Sequence, residues 1–224
     1  MTLSLSFDPR AVPFEADVSG LPPVSPDRLT QGALVDRFAQ VVDWVPEFRH
    51  EPRMSDRSLT PASVLIGLVM RERPMVLLTQ RTAHLSSHAG QVAFPGGKAD
   101  AQDAGPVATA LREAQEEVGL ASEFVRVIGA LPQYTTGSQF VITPVVALLD
   151  PRFALAPNPF EVETIFEVPL DFLMNPAHHR RHQRLTPSGT RHWLSMPYHD
   201  GPHERYIWGA TAGMLRNLYQ FLSL

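Results

Sequence analysis

The chain contains no cysteine. That excludes disulfide staples, zinc–thiolate sites and cysteine nucleophiles. No apolar run approaches the length a membrane span needs. The first residues show no basic start leading into a long apolar stretch, so nothing reads as a secretory leader. The closing Leu222-Ser223-Leu224 lacks the basic residue of a peroxisomal address. Cations are not in excess: 19 Lys and Arg stand against 23 Asp and Glu, a formal net charge of −4. Nothing in that balance calls for nucleic acid as the main partner. Internal repeats and low-complexity tracts are also missing. These absences lead us to expect a soluble, cytoplasmic protein with no membrane and no nucleic-acid partner.

What is present suffices for a large domain with extensions: 224 residues, 44% of them hydrophobic. Residues 1–26 are rich in proline and polar side chains and read as a loose extension. Residues 27–42 read as a helix, with Asp27 as its cap and Leu34, Val35, Phe38 and Val41 along one side. Residues 48–61 read as a connector. The apolar runs 62–70 and 75–81, separated by Arg71-Glu72-Arg73-Pro74, read as a hairpin. Residues 91–94, 124–131 and 141–149 read as further strands, 169–174 as a short helix, 180–185 with 191–196 as a second hairpin, and 209–222 as a closing helix. The run His178-His179-Arg180-Arg181-His182 matches no zinc spacing and reads as the basic surface of that hairpin.

Residues 94–120, FPGGKADAQDAGPVATALREAQEEVGL, organise the rest. A glycine turn closes an apolar run, an acidic loop follows, and a helix begins at Pro106 and stops at Gly119. Val107, Ala110, Leu111, Ala114 and Val118 form its apolar stripe. Glu113 and Glu117 lie about 40° apart on one flank, and Glu116 within about 100° of both. Like charges so placed disfavour an isolated helix, and a divalent cation removes that cost. Magnesium prefers oxygen ligands and completes its shell with water and substrate phosphate. On the helix alone, a solvated acidic face with Arg112 paired to Glu116 accounts for the same residues.

The flanking residues decide between these readings. Gly97, the acidic Asp103, and then Arg112-Glu113-Ala114-Gln115-Glu116-Glu117-Val118-Gly119-Leu120 resemble the Nudix box, the signature of Nudix hydrolases. Asp103 stands where the general pattern has glutamate, and the spacer to Arg112 is one residue longer. Leu77-Leu78-Thr79-Gln80-Arg81 and His88-Ala89-Gly90-Gln91-Val92-Ala93-Phe94-Pro95-Gly96-Gly97 resemble the additional signature of coenzyme A pyrophosphatases, with Ser86 where that subgroup usually has arginine. The longer spacer and the closing Ile207-Trp208-Gly209-Ala210-Thr211-Ala212 also occur in that subgroup.

The resemblance implies the Nudix fold, an α/β/α sandwich with a mixed β-sheet. The Nudix hydrolase domain is expected over residues 61–224, behind an N-terminal extension with one helix over residues 1–60. It implies Mg2+ or Mn2+ held principally by Glu113 and Glu117, with Glu116 and the backbone carbonyl of Gly97 as further ligands. Arg112 orients a glutamate. The general base is Glu116 or Glu161, the latter in the turn-like Asn158-Pro159-Phe160-Glu161-Val162. Arg81, His88 and Lys98 flank the box as substrate-binding candidates. Hydrolysis of coenzyme A or acyl-coenzyme A leads the functional readings, with a homodimer as the assembly. A Nudix enzyme for NADH, ADP-ribose or a dinucleoside polyphosphate comes second, and a non-catalytic ligand sensor third.

Overall fold

The structure is a computed structural model that describes residues 7–16, 20–54, 58–84, 89–186 and 189–224. A short strand, β1 (Phe14–Ala16), precedes a helix, α1 (Gln31–Ala39). The main sheet then opens with β2 (Thr60–Val69) and β3 (Met75–Arg81), joined through the expected charged turn. After β4 (Val92–Ala93) the chain returns along β2 as β5 (Gly96–Lys98) and enters α2 (Pro106–Val118). β6 (Val125–Ala130), β7 (Tyr134–Thr135), β8 (Phe140–Leu149) and β9 (Val162–Pro169) complete that sheet, and α3 (Leu170–Leu173) leaves it. β10 (Arg180–Thr186), β11 (Gly189–Asp200) and β12 (His203–Trp208) build a second sheet, and α4 (Gly209–Ser223) closes the chain.

The main sheet runs β4-β3-β2-β8-β6, with β5 on β2, β7 on β8 and β9 on β3. β2 and β8 are parallel from Thr60↔Phe140 to Val69↔Leu149, and the neighbouring pairs are antiparallel, so the sheet is mixed. Both central strands are apolar almost without interruption because both of their faces are covered. Leu65, Val69, Val145, Ala147 and Leu149 join Ala110, Ala114 and Val118 of α2 in one core. Ile66, Leu68, Val146 and Leu148 join α1 and α4 in the other. The result is the expected α/β/α sandwich.

α4 is buried on nearly every side, because the second sheet packs on the surface that a peripheral helix would leave to water. Among the described residues no helix is long and apolar enough to cross a membrane.

Several elements depart from expectation. α1 begins at Gln31, and its cap is Thr30, whose Oγ1 accepts from Ala33 N at 3.4 Å. Asp27 instead lies in a 3-10 turn started by Pro26. Leu34 is buried, but Val41 lies past the helix and is fully exposed. Within the stretch expected to be loose, β1 pairs with β10 through Phe14↔His182. Pro95-Gly96-Gly97 is not a simple turn, since Gly96 and Gly97 pair with Val64 and Ser63. Val107 at the start of α2 is 42% exposed and leaves the apolar stripe. β9 and β12 were not anticipated. β9 hides its alternation behind Glu163 and Glu167 and sits at an edge, where charged side chains are tolerated. The histidine run is not surface: His179 and His182 are buried and hydrogen-bonded to Leu173 O and to Ser195 Oγ, each at 2.8 Å.

Candidate active site

α2 presents its acidic flank to β5. Gly119 ends the helix in the left-handed region, with φ 70°, and its N–H donates to Gln115 O at 3.0 Å. The loop beyond is tied back to the same helix end, since Ala156 N donates to Val118 O and Asn158 N to Glu117 O, both at 2.9 Å. At the other side, Gly97 lies directly against Glu113. A Cβ on Gly97 would fall 2.5 Å from the Glu113 carboxyl carbon, so any side chain there would occupy the carboxylate's place.

Glu117 is 2% exposed. One carboxylate oxygen accepts from Gly96 N at 3.1 Å and the other from Arg81 Nη1 at 3.3 Å. Both contacts are long for bonds to a buried anion. Burial pushes the carboxyl up to about 7 despite these donors, and the charges of Glu161 and Glu113 push in the same direction. Burial likewise raises Glu113 above the usual range. Arg112 opposes that shift, while Glu116 and Glu161 add to it. Glu113, Glu117 and Glu161, from α2 and from the turn before β9, therefore share one electrostatic neighbourhood. Glu161 is set there by a tight turn: its N–H donates to Asn158 O and its carbonyl accepts from Thr82 N, both at 3.0 Å.

Arg112 is the organiser of the α2 flank. Its Nε and Nη2 donate to the two carboxylate oxygens of Asp103, each at 3.0 Å. Nη1 reaches Glu113 at 2.9 Å and Glu116 at 3.1 Å, and Nη2 also reaches Lys98 O at 3.0 Å. The guanidinium is thus spent on the protein. The fork holds Asp103 well below the usual carboxylate range. Asp103 also accepts from Thr109 Oγ1 at 2.8 Å and from Asp100 N at 2.9 Å. It pins the acidic loop to the helix, a part that the residue reading did not assign. Its place six positions after Gly97 was the available signal.

The other candidates divide. Glu116 is exposed and meets Arg112, so the ion pair of the plain reading is present as well. Lys98 offers its carbonyl to Arg112, while its ammonium lies 5.9 Å from the centre of the Phe140 ring. Arg81 touches Glu117, and among the described residues its buried Nε has no hydrogen-bond partner. His88 and Ser86 lie outside the described residues.

Among the described residues, no three acidic or histidine side chains are gathered as a ready set of metal ligands. Each glutamate of α2 is turned onto a protein donor instead. The chemistry still fits a divalent ion. The donors are all oxygen, as Mg2+ and Mn2+ prefer. Burial raises both Glu117 and Glu113 despite their hydrogen bonds, and the Gly97 backbone comes directly against the Glu113 carboxylate.

Fold and carboxylate face together define a Nudix hydrolase, an enzyme that acts on a pyrophosphate bond; enzymes of this class generally use a divalent ion such as Mg2+. The NUDIX domain model matches residues 59–188, and the chain belongs to that family. An uncharacterized Nudix hydrolase NudL of Citrobacter koseri is 45% identical over 158 residues, covering 70% of this chain and 80% of that one. One of Salmonella newport is 41% identical over 192 residues, covering 85% and 94%. Among solved structures, a MutT/nudix family protein from Enterococcus faecalis is similar over 85% of this chain and 74% of its own, at 12% identity and a TM-score of 0.45. That likeness adds nothing to the assignment.

Proposed function

We propose that the chain hydrolyses the diphosphate of coenzyme A or acyl-coenzyme A, giving adenosine 3′,5′-bisphosphate and 4′-phosphopantetheine or its acyl form. One observation carries the substrate class: residues 77–81 and the described part of the second signature, residues 89–97, run into the site, where Arg81 meets Glu117 and Gly97 backs Glu113.

In this reading Glu113 and Glu117 hold Mg2+ or Mn2+, with Glu116 and the Gly97 carbonyl as further ligands. When bound, the ion neutralises phosphoryl charge and lowers the pKa of a coordinated water. Arg112 is a positioning residue, which keeps Glu113 and Glu116 aimed while anchored to Asp103. Glu161 is favoured over Glu116 as general base. It lies within electrostatic reach of Glu113 and Glu117, whereas Glu116 is exposed and paired. Arg81 has one long bond to Glu117 and a spare donor, which suits it to a substrate phosphate. Arg81, Lys98 and His88 are the candidates for the 3′-phosphate. A charge-assisted contact there is worth roughly 1.5–3 kcal/mol, so dephospho-coenzyme A should be poorer by about ten- to a hundredfold.

A substrate panel read by mass spectrometry tests the proposal. Coenzyme A should be cleaved at the diphosphate with higher kcat/KM than NADH or ADP-ribose. Faster cleavage of either of those would leave only a general Nudix pyrophosphatase. Light scattering tests the homodimer.

A further inference from the structure

A groove of about 460 Å³ lies along β9. One wall is Phe153, Leu155 and Pro157 of the loop that follows β8, and the other is β9 itself from Glu163 to Glu167. Leu77, wholly buried, lies at its base. The far end meets the ion pair of Arg71 and Glu167, a two-pronged contact at 2.7 Å for each prong. The near end is formed by Pro157 and Glu163, the residues that bracket the Asn158–Glu161 turn. The groove therefore begins at the turn that carries Glu161, which is tied to the end of α2 by the bond from Asn158 N to Glu117 O at 2.9 Å.

One wall of this groove is a strand edge. Among the described residues β9 pairs only with β3, from Met75↔Pro169 to Arg81↔Val162. Alternate residues of an edge strand direct their N–H and C=O away from the partner. The groove thus offers main-chain donors and acceptors along one side and apolar side chains along the other. From residue 163 to residue 167 it spans roughly 13 Å at the usual rise of a strand. That combination suits an extended chain of amides with an apolar body.

We propose that this groove holds the pantetheine arm of the substrate, laid beside β9 as a further strand would be, with the diphosphate at the carboxylates and the thiol or acyl end toward Arg71. The inference rests on the coenzyme A reading above. Pantetheine carries two secondary amides in a flexible chain, and each can bond to a strand edge. An apolar acyl group would continue along Phe153 and Leu155.

The test has two arms. In the first, Leu155→Trp fills the groove without touching the carboxylate site. KM for coenzyme A should rise about tenfold or more with kcat little changed, while cleavage of ADP-ribose, which lacks the arm, should keep its wild-type kcat/KM. In the second, free pantetheine is titrated into 15N-labelled wild-type protein. Amide shifts should concentrate on residues 163–167 and 153–157. An unchanged KM in a folded Leu155→Trp variant, or pantetheine shifts elsewhere, would overturn the groove assignment. So would loss of a dimer with an unchanged KM, because the edge would then belong to a second copy. Failure of the wild type to cleave coenzyme A would instead sink the substrate reading, and the pantetheine titration would still judge the groove on its own. The titration also stands if Leu155→Trp fails to fold.

Discussion

Among the described residues, Arg216 and Glu117 are charged side chains buried almost completely, and they are buried in opposite ways. In the first, Arg216 of α4 is 1% exposed, and its guanidinium is well satisfied. Nε donates to Glu47 at 2.8 Å, Nη1 to His179 Nδ1 at 3.1 Å, and the group lies over the Tyr219 ring. His179 can accept there because its Nε2 is committed to Leu173 O at 2.8 Å. In the second, Glu117 of α2 is as deeply buried, and among the described residues it has only a long bond from Arg81 and one backbone N–H, with two more carboxylates nearby. The first cluster is well supplied with partners and joins α4 to Glu47, just before the 48–61 connector, and through Arg181 to β10. The second is left short of positive charge. Burial alone therefore does not mark a functional site; burial with incomplete compensation does.

The largest test of this contrast is Glu117→Gln. It removes a charge with little change of volume, so the fold should persist. Turnover should fall by at least about 10⁴, or roughly 5 kcal/mol of transition-state stabilisation, if this carboxylate holds the ion. Near wild-type turnover at saturating Mg2+ would place the ion elsewhere. Glu161→Gln should follow with a loss of about 10² to 10⁴ in kcat and of the acidic limb of the pH–rate profile. If the limb persists there and vanishes in Glu116→Gln, the base is Glu116.

The first cluster should fail differently. Arg216→Met should destabilise the fold by roughly 3 kcal/mol, since it removes one donor from buried His179 and one from Glu47, which keeps Arg181 Nη2 at 2.6 Å. The loss should appear in the denaturation midpoint, with kcat per folded molecule unchanged. A fall in kcat at full folding would show that the two clusters are coupled.

The smallest effect concerns pH. Glu117 binds its proton more tightly in the folded chain, with a pKa of about 7, than in the unfolded one, near 4.5. Between those values the folded state holds more protons, so stability is greatest below about 4.5 and falls as pH rises toward 7. Metal-free protein should lose on the order of 2–3 kcal/mol from this group across that window. Melting in EDTA at pH 5 and pH 8, repeated with Mg2+, measures it. The ion should restore stability at pH 8 far more than at pH 5, and equal restoration at both would detach the shift from the metal site.

The contrast also shows what the sequence could reveal. The carboxylates of α2 were legible because a helix repeats at fixed angle, so Glu113 and Glu117 had to share a flank. β2, β3 and β8 were legible because buried strands are written as apolar runs. The Arg216 cluster was not legible. Glu47 and Arg216 are 169 residues apart, and no local period announces that they meet. β9 failed for a related reason: an edge strand can carry Glu163 and Glu167, and its alternation is blurred by them. Asp103 was visible as a spacing, but its role as the anchor of Arg112 needed the fold.

The parallel pairing of β2 with β8 has a kinetic consequence. Thr60 meets Phe140 only after an 80-residue segment has closed into a loop, and β5 and α2 lie inside that loop. Closing a long loop before its contacts are rewarded is entropically slow. On the ribosome, β2 can hairpin with β3 and receive β5 early. The second central strand emerges much later, and α4, which covers the other face, comes last. Until then the apolar face of β2 has no lasting cover. The Nudix helix is thus translated well before the scaffold that fixes it, and for this chain the interval between residues 118 and 223 is the period of greatest exposure to chaperones and proteases.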